Sequence, residues 1–194
     1  MTNGPKGRAE VEAALIVATA AMCRERSPAS VTLRGIAAKA GVNHGQVRHY
    51  FGSKAELVAA TIEYLEEPML GRLDTNTPEA SAEKLLVSLI EDPAFTRMLG
   101  WLLANEVEPS SVGLRFRFGR EFIAQLCREG ADLQAATVAA SQVMVVCAGW
   151  PMIRPLLRES NDIDRAAERA LDDAFVRQVR AIAADAVAES PTSP

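Results

Sequence analysis

The sequence predicts an all-α protein built from two helical modules. Apolar residues recur three or four positions apart along most of the 194-residue chain, and the alternating Val, Ile and Thr runs typical of strands are almost absent. Hydrophobic residues make up 48% of the chain, which is enough to bury a continuous core. We therefore expect a small N-terminal module of short helices, followed by a larger helical module.

Capping and breaking residues delimit four helices at the start of the chain. The first is expected to stop before Pro28, since the residue preceding a proline avoids helical backbone. Gly41 supplies the left-handed backbone that ends the second helix. Ser53 and Glu56 form a capping box for the fourth, which is predicted to end before Pro68. The predicted helices are 9–26, 32–40 with its cap, 44–51 and 53–67.

Turn-forming residues separate the two modules. They are concentrated at 74–78, after the proline at position 68. The predicted domains are therefore 1–67 and 68–194. Helices in the second domain are predicted over 81–91, 93–106, 110–128, 133–150 and 164–189, the last with a break near Asp172.

One stretch of the second domain fits two structures. Leu114, Phe116 and Phe118 alternate with arginines, as in a short strand. Leu114, Phe118 and Phe122 also follow an i+4 row, as in a helix. We retain the helix.

Charge is distributed unevenly along the chain. The net charge is −4, which argues against a protein that coats nucleic acid non-specifically. Between Ala29 and Ala55, however, there is no acidic residue. A polyanion could dock on this window, which contains both histidines and four cations: His44, His49, Arg34, Lys39, Arg48 and Lys54.

The second and third helices, joined through Gly41, form a candidate helix-turn-helix, in which the second helix of the motif lies in the DNA major groove. Ala37 satisfies the need for a small residue where the two helices cross. If Val47 points inward, a rotation of about 100° per residue places Gly45 and His49 outward. The expected buried seam consists of Ile36, Ala40, Val42, Val47 and Tyr50.

The residues of the third helix suggest specific DNA contacts. Gly45 is unfavourable inside a helix by about 1 kcal/mol relative to alanine, so we infer that it lets the backbone approach DNA closely. Gln46 can pair with adenine and Arg48 with guanine, while Lys54, at a helix N-terminus, can bind a phosphate. The alternative is a capped helix whose polar face meets water. Further candidates for phosphate or base contacts are Asn43, His44, His49 and Tyr50.

The segment from Thr32 to Val42, followed by Gly45 to Leu57, resembles the DNA-binding segment of tetracycline-repressor (TetR) family regulators, and the spacing matches across about 9–67. The resemblance implies a homodimer, an operator of two inverted half-sites, and a C-terminal helical module that binds an effector and dimerises. It also implies that Tyr50 and Lys54 hold phosphates, with Thr32 and the third helix completing the contacts. Arg48 stands where the family usually has tyrosine, which favours a direct guanine contact.

The second domain offers candidates for an effector pocket. Large, adaptable apolar side chains typically line such cavities, although most residues of this kind are ordinary core. Nearby charges could orient a polar ligand group or could be exposed surface charges. These charges are Arg115, Arg117, Arg120, Glu106 and Glu108. The candidate ligand-binding residues are Phe95, Met98, Trp101, Leu102, Phe116, Phe122, Met144, Cys147 and Trp150.

Two helices carry stripes of small apolar residues at near-heptad spacing. We expect them to form a four-helix interface between subunits, the alternative being that both stripes are intrachain core. The stripes are Ala136, Ala139, Val143, Val146 and Trp150 on one helix, and Val176, Val179, Ala183 and Ala186 on the other.

Other function classes find little support in the sequence. There is no histidine after His49, no Gly-rich phosphate loop, no nucleophile elbow and no paired-histidine metal motif. We therefore expect no catalytic residues, no metal and no cofactor. An alternative remains: a small-molecule-binding helical protein or enzyme whose helix-turn-helix binds protein. Analogy with the family favours a repressor released from a palindromic operator by an unidentified small-molecule effector.

The expected location is the cytoplasm. The three cysteines are far apart and set among apolar helix formers, which suggests reduced core thiols. The longest apolar stretch, 133–150, is interrupted by polar residues and followed by Pro151 and Arg154, so it is a poor membrane span. No membrane partner is expected.

Overall fold

The structure is a computed structural model that describes residues 5, 7–71, 73, 77–161 and 163–188, and it confirms the all-α class. Within these residues the regular structure consists of nine α-helices and short 3-10 turns, without strands. The helices are α1 (Arg8–Glu25), α2 (Leu33–Ala40), α3 (His44–Phe51), α4 (Lys54–Leu70), α5 (Pro78–Glu91), α6 (Ala94–Ala104), α7 (Arg117–Arg128), α8 (Leu133–Ser160) and α9 (Arg165–Ala188).

The helices group into two compact units. The first comprises Met1–Leu65 and Asp92–Arg115, and the second comprises Glu66–Glu91 and Phe116–Pro194. Helix α6 therefore lies in the first unit, although its sequence falls after the predicted boundary at position 67. A functional division at that position stays a prediction, and residues 74–76 of the turn-rich segment lie outside the described residues.

The first unit is held together by a buried core and by polar contacts at the end of α1. Leu15, Ile36 and Val47, from α1, α2 and α3, are all buried. Arg97 of α6 donates to the backbone carbonyl of Cys23 at 3.1 Å and to that of Arg24. These carbonyls are unpaired acceptors of the last turn of α1, so Arg97 both caps α1 and fixes α6 against it.

In the second unit, α9 packs against α5 and α8. Most members of the small-residue stripes of α8 and α9 are buried within the single chain. The buried members therefore belong to the intrachain core, as the alternative proposed, while an interface between subunits formed by these two helices stays a prediction. The buried members are Ala136, Ala139, Val143 and Trp150 on α8, and Val179, Ala183 and Ala186 on α9, while Val146 and Val176 are half-buried.

A polar network joins α8 to α9 where α8 contains two prolines. The indole Nε1 of Trp150 donates to Asp172 at 2.8 Å, and Arg154 pairs with the same carboxylate at 2.9 Å. Arg154 also pairs with Glu168 at 3.1 Å. Trp150 stacks on Phe175 with ring centroids 4.4 Å apart. These contacts stabilise the proline-containing half of α8.

Two helix boundaries differ from the predicted ones because proline was given too much weight. Helix α4 continues through Pro68 to Leu70, and α8 continues through Pro151 and Pro155 to Ser160. A proline inside a helix removes one backbone hydrogen bond and bends the helix, and packing can offset that loss. Helix α9 is continuous across Asp172, without the predicted break.

The segment before α7 also differs from the prediction. Residues Pro109–Val112 form a 3-10 turn that ends at Gly113 in left-handed backbone, with φ 73°. Phe116 is left-handed as well, with φ 44°, and α7 begins only at Arg117. A left-handed non-glycine residue interrupts a helix, so the stretch 110–116 is neither the predicted helix nor the alternative strand.

Helix α8 is long and apolar enough to cross a membrane by length and composition, a property that core helices share. This helix packs against α5, α7 and α9. Another face of the helix exposes a set of large apolar side chains to solvent, namely Val138, Val145, Met152, Ile153 and Leu156.

Candidate nucleic-acid interface

Helix α3 presents a free outer face. Val47 is 1% exposed and fixes the inner side of the helix, whereas Gly45, Arg48 and His49 are exposed. This is the orientation expected from the position of Val47. A helix needs such an uncovered face to enter the major groove.

The turn between α2 and α3 holds that face in place. Gly41 is left-handed, with φ 69°, and its N–H donates to the carbonyls of Ala37 and Ala38. The N–H of Val42 donates to the Ala37 carbonyl at 3.0 Å. Ala37 is buried, as its place at the helix crossing requires. The predicted use of Gly41 is therefore confirmed.

Some of the side chains that were expected to contact DNA cap the N-termini of the helices of this motif. The Thr32 hydroxyl accepts from Gly35 N at 3.0 Å, and the Asn43 side chain accepts from Gly45 N at 2.8 Å. The Oε1 atom of Gln46 accepts from Asn43 N at 3.0 Å. The Asn43–Gln46 pair is thus a capping box. Its Asn-x-x-Gln spacing is a known capping signal that the sequence reasoning missed.

This use of Gln46 limits its predicted contact with adenine. A bidentate pair with adenine needs both the amide oxygen and the amide nitrogen. The oxygen is held by Asn43 N, and the side chain is half-buried. The contact therefore requires Oε1 to leave the cap, whereas the amide nitrogen can donate without such a change.

Gly45 is not required by the fold of the chain. A β-carbon at this position would lie 3.4 Å from Asn43 Oδ1, which is an ordinary van der Waals contact, and the backbone is helical. Alanine would fit this site and would favour the helix by about 1 kcal/mol. The structure of the single chain therefore gives no reason for a glycine at this position.

Tyr50 is half-buried and contacts two neighbours. Its ring lies edge-on to His49, with centroids 4.9 Å apart, and the guanidinium of Arg8 lies 5.7 Å from its centroid. Arg34 and His44 are exposed and lie at the start of α2 and α3, respectively. The structure therefore places these predicted contact residues on the same small group of helices.

Lys54 is the predicted contact residue whose charge is already engaged. Its ammonium donates to the Pro28 carbonyl at 2.5 Å and lies 5.1 Å from the ring centroid of Trp101. The side chain is half-buried, and this burial lowers the pKa of Lys54 below its usual value, an effect that nearby Cys23 partly offsets. Neither Pro28 nor Trp101 was identified from the sequence as a partner of Lys54.

The residues predicted to line an effector pocket are dispersed between the two units. Trp101 contacts Lys54 in the first unit, where Phe95, Met98 and Leu102 are buried core. In the second unit, Phe122, Cys147 and Trp150 are buried, while Phe116 and Met144 are half-buried. The nine residues are thus divided between the two units, and a ligand-binding role for them stays a prediction.

A very small cavity of about 10 Å³ in the second unit is lined by other residues. Ser81, at 4% exposed, is a buried polar member of this lining, and within the described part of the chain its hydroxyl has no hydrogen-bond partner. The full lining consists of Met69, Leu73, Ser81, Lys84, Leu85, Ser88 and Phe118.

The charges proposed to orient a ligand lie mostly on the surface. Arg117 pairs with Glu67, and its backbone N–H donates to the buried carboxylate of Glu66 at 3.2 Å. The other four are exposed, as most charged side chains are: Arg115, Arg120, Glu106 and Glu108.

Comparison with known proteins agrees with this geometry. Residues 15–61 match the sequence family described as bacterial regulatory proteins, tetR family. The chain is 32% identical over 161 residues to the HTH-type transcriptional repressor Rv3405c of Mycobacterium tuberculosis, covering 82% of each protein.

Solved structures share the fold. A TetR transcriptional regulator from Streptomyces coelicolor, SCO7222, has a TM-score of 0.66 at 15% identity, covering 96% of this chain and 100% of that one. A TetR protein from Acinetobacter baumannii AYE in complex with minocycline has a TM-score of 0.62 at 19% identity, covering 89% and 93%. Together with the relative that is similar over most of its length, these findings show that the chain belongs to the TetR family of DNA-binding transcriptional regulators.

Proposed function

We propose that this chain is a cytoplasmic, homodimeric repressor that binds a palindromic operator and is released by a small-molecule effector. The observation that carries the proposal is the uncovered face of α3, where Gly45, Arg48 and His49 are exposed opposite buried Val47. In this arrangement one α3 helix from each subunit enters the major groove of one half-site.

The contacts divide into base readers and phosphate binders. Arg48 is exposed and long enough to form a bidentate pair with guanine. Thr32, Tyr50 and Lys54 bind phosphates, which set the position of the protein on DNA without reading the sequence. The surrounding polar residues complete the contact set: Arg34, Asn43, His44, Gln46 and His49.

A second copy of the chain is the proposed partner of the exposed apolar face of α8. Val138, Val145 and Met152 are 52%, 72% and 42% exposed and lie seven residues apart, so they share one side of the helix. An apolar stripe of this kind on a soluble protein usually marks an interface. Dimerisation is also typical of the family.

The cavity beside Ser81 is the proposed starting point of the effector site. Sites for drug-sized ligands usually occupy about 300 to 1,000 Å³, so this cavity of about 10 Å³ must open widely to hold such a ligand. Its lining favours a largely apolar ligand with a polar group that the Ser81 hydroxyl can bind. The relative from Acinetobacter baumannii was crystallised with minocycline, and the relative from Mycobacterium tuberculosis is named a repressor.

Selection of bound sequences from a random DNA pool, followed by fluorescence anisotropy at several salt concentrations, tests the DNA-binding proposal. We expect an inverted-repeat site and a log K that falls by about 0.9 per neutralised phosphate as log salt rises. Arg48→Ala should reduce discrimination at one base by about 1 to 3 kcal/mol, and Lys54→Ala should weaken all sequences equally. Binding without sequence preference or salt dependence would instead favour a protein-binding role for the motif.

Sedimentation equilibrium tests the proposed dimer. Val145→Glu places a charge on the exposed apolar stripe, so we expect a monomer with much weaker operator binding. Val17→Glu is a matched control. Val17 is 49% exposed and lies on α1, which belongs to the first unit, whereas the stripe belongs to the second. A Val145→Glu variant that remains dimeric would contradict the proposed interface.

A further inference from the structure

Three segments of the first unit meet at one ammonium group. Lys54 is the first residue of α4, Pro28 lies in the 3-10 turn between α1 and α2, and Trp101 lies on α6. The ammonium donates to the Pro28 carbonyl at 2.5 Å and lies 5.1 Å from the Trp101 ring centroid. The latter distance is within the range of a cation–π contact.

Helix α6 is fixed where it supplies this ring. Arg97 lies one turn before Trp101, on the same face of α6, and its guanidinium binds the carbonyls of Cys23 and Arg24 at the end of α1. One face of α6 therefore holds the end of α1 through Arg97 and the start of α4 through Trp101. The position of the indole is thereby set independently of Lys54.

The first residue of a helix is an unfavourable place for a cation. The free N–H groups and the helix dipole make this end positive, so the lysine ammonium is stabilised only if it finds acceptors. In this structure the acceptors are the Pro28 carbonyl and the face of Trp101. A DNA phosphate is a stronger acceptor of the same group, and the two sets of acceptors compete for it.

We propose that Trp101 is a positioning residue that, with the Pro28 carbonyl, holds the Lys54 ammonium in a DNA-free position from which it moves to bind an operator phosphate. The inference rests on the phosphate contact of Lys54 in the proposed function. It adds that the contact is made at the expense of an existing one, so that Trp101 lowers operator affinity although it does not touch DNA.

The competition predicts an unusual sign for a substitution at Trp101. Trp101→Leu removes the cation–π contact from the DNA-free state alone, so operator affinity should rise by about two- to fivefold per subunit. Trp101→Phe keeps a ring with a weaker attraction for cations, and its affinity should lie between those of Trp101→Leu and the unmodified protein. If Trp101 were only structural, both substitutions would weaken binding or leave it unchanged.

A double-mutant cycle on the full-length protein tests the link to Lys54. Lys54→Met should weaken operator binding and reduce the salt slope by about 0.9 per subunit. In the Lys54→Met background, Trp101→Leu should no longer raise affinity. Thermal unfolding of each variant establishes that the compared proteins are folded, and the Trp101→Phe variant preserves most of the packing.

Fluorine NMR provides a second readout that does not depend on affinity. The protein has two tryptophans, so fluorotryptophan labelling gives two resonances, and the Trp101→Phe variant identifies the one from Trp101. We expect this resonance to shift when operator is added and the shift to be lost in Lys54→Met. An unmoved Trp101 resonance at saturating operator would overturn the proposal.

The outcomes separate the two levels of inference. If Trp101→Leu lowers or preserves affinity while Lys54→Met still reduces the salt slope, the role of Trp101 is overturned and the phosphate contact stands. If Lys54→Met changes neither affinity nor slope, the phosphate contact fails and the competition fails with it. A gain of affinity in Trp101→Leu that disappears with Lys54→Met supports both.

Discussion

The Oε1 atom of Gln46 accepts a hydrogen bond from the backbone N–H of Asn43 at 3.0 Å. Gln46 lies on the flank of the exposed face of α3, so one side chain both caps the helix and borders its proposed DNA contact. An acceptor at this position is therefore useful to the helix, whereas a negative charge there opposes DNA binding.

Gln46→Glu should separate these two roles. The carboxylate retains the acceptor for Asn43 N and interacts well with the helix N-terminus, so stability should change by less than about 0.5 kcal/mol. Operator affinity should fall by about tenfold or more, because a negative charge now faces the phosphates. Chemical denaturation and anisotropy titration measure the two effects. Gln46→Ala, in contrast, should lose about 0.5 to 1 kcal/mol of stability along with the cap.

Gly45→Ala should change stability and DNA binding in opposite directions. The site accepts a β-carbon without a severe contact, so the free energy of unfolding should rise by up to about 1 kcal/mol. Operator affinity should fall, because the methyl group separates α3 from the DNA. Gly119→Ala is a matched control in α7, where nothing lies within 4 Å of the added carbon, and it should leave operator affinity unchanged. Equal affinity of Gly45→Ala and the unmodified protein would remove the reason given for this glycine.

Features determined by neighbouring residues were predictable from the sequence. The turn at Gly41, the capping box of Ser53 and Glu56 and the outward position of Gly45 all depend on residues within about four positions of one another, and helical geometry relates them directly. The boundaries of α3 were predicted correctly for the same reason.

Features determined by distant residues were not predictable in this way. Arg97 binds carbonyls more than 70 positions earlier in the chain, and Trp101 contacts a lysine 47 positions before it. No periodicity in the sequence pairs these residues. The continuation of α8 through its prolines has a similar origin, because the contacts of Asp172 with Trp150 and Arg154 come from a separate helix.

Arg97→Met should weaken the attachment of α6 to the end of α1. The substitution keeps a long apolar stem but removes the donor to the Cys23 and Arg24 carbonyls. Because Arg97 is an exposed residue, we expect a modest loss of about 1 kcal/mol. Hydrogen exchange should report faster exchange of the last amides of α1 and of α6. The control is Arg128→Met, at an exposed arginine in the last turn of α7. Similar rates of amide hydrogen exchange in α1 and α6 for both variants would contradict the capping role of Arg97.

Asp172→Ala should destabilise the seam between α8 and α9. The change leaves Arg154 and the Trp150 indole without their shared acceptor, and both partners are at least partly buried. We expect a loss of about 1 to 3 kcal/mol. Asp172→Asn can still accept from Trp150 and should lose less. Asp173→Ala, at the exposed neighbouring position, is the control and should leave stability nearly unchanged. Urea denaturation measures the loss of stability in the three variants. A loss in Asp172→Ala no larger than that in Asp173→Ala would show that the network contributes little.

The three thiols should differ in reactivity because they differ in burial. Cys23 and Cys147 are buried, at 1% and 0% exposed, whereas Cys127 is only half-buried. A thiol reagent should therefore modify Cys127 first in the folded protein and the other two only upon unfolding. Cys127→Ser should abolish the fast phase, and a fast phase that persists in this variant would contradict the assignment.

Burial of Cys147 also makes stability depend on pH. Burial raises the pKa of this thiol above its ordinary value of 9.0. At a pH below 9.0 the thiol is therefore neutral in both the folded and the unfolded state, and its contribution to stability is fully present. Above that pH, only the unfolded state ionises, and stability falls by up to about 1.4 kcal/mol per pH unit. Burial lowers the pKa of Lys54 and acts in the opposite direction as pH rises. Urea denaturation of the unmodified protein and of Cys147→Ala from pH 8 to 10 isolates the effect of this thiol on the free energy of unfolding. We expect the stability curves of the two proteins to converge above about pH 9. Parallel curves would show that Cys147 ionises as easily in the folded state as in the unfolded chain.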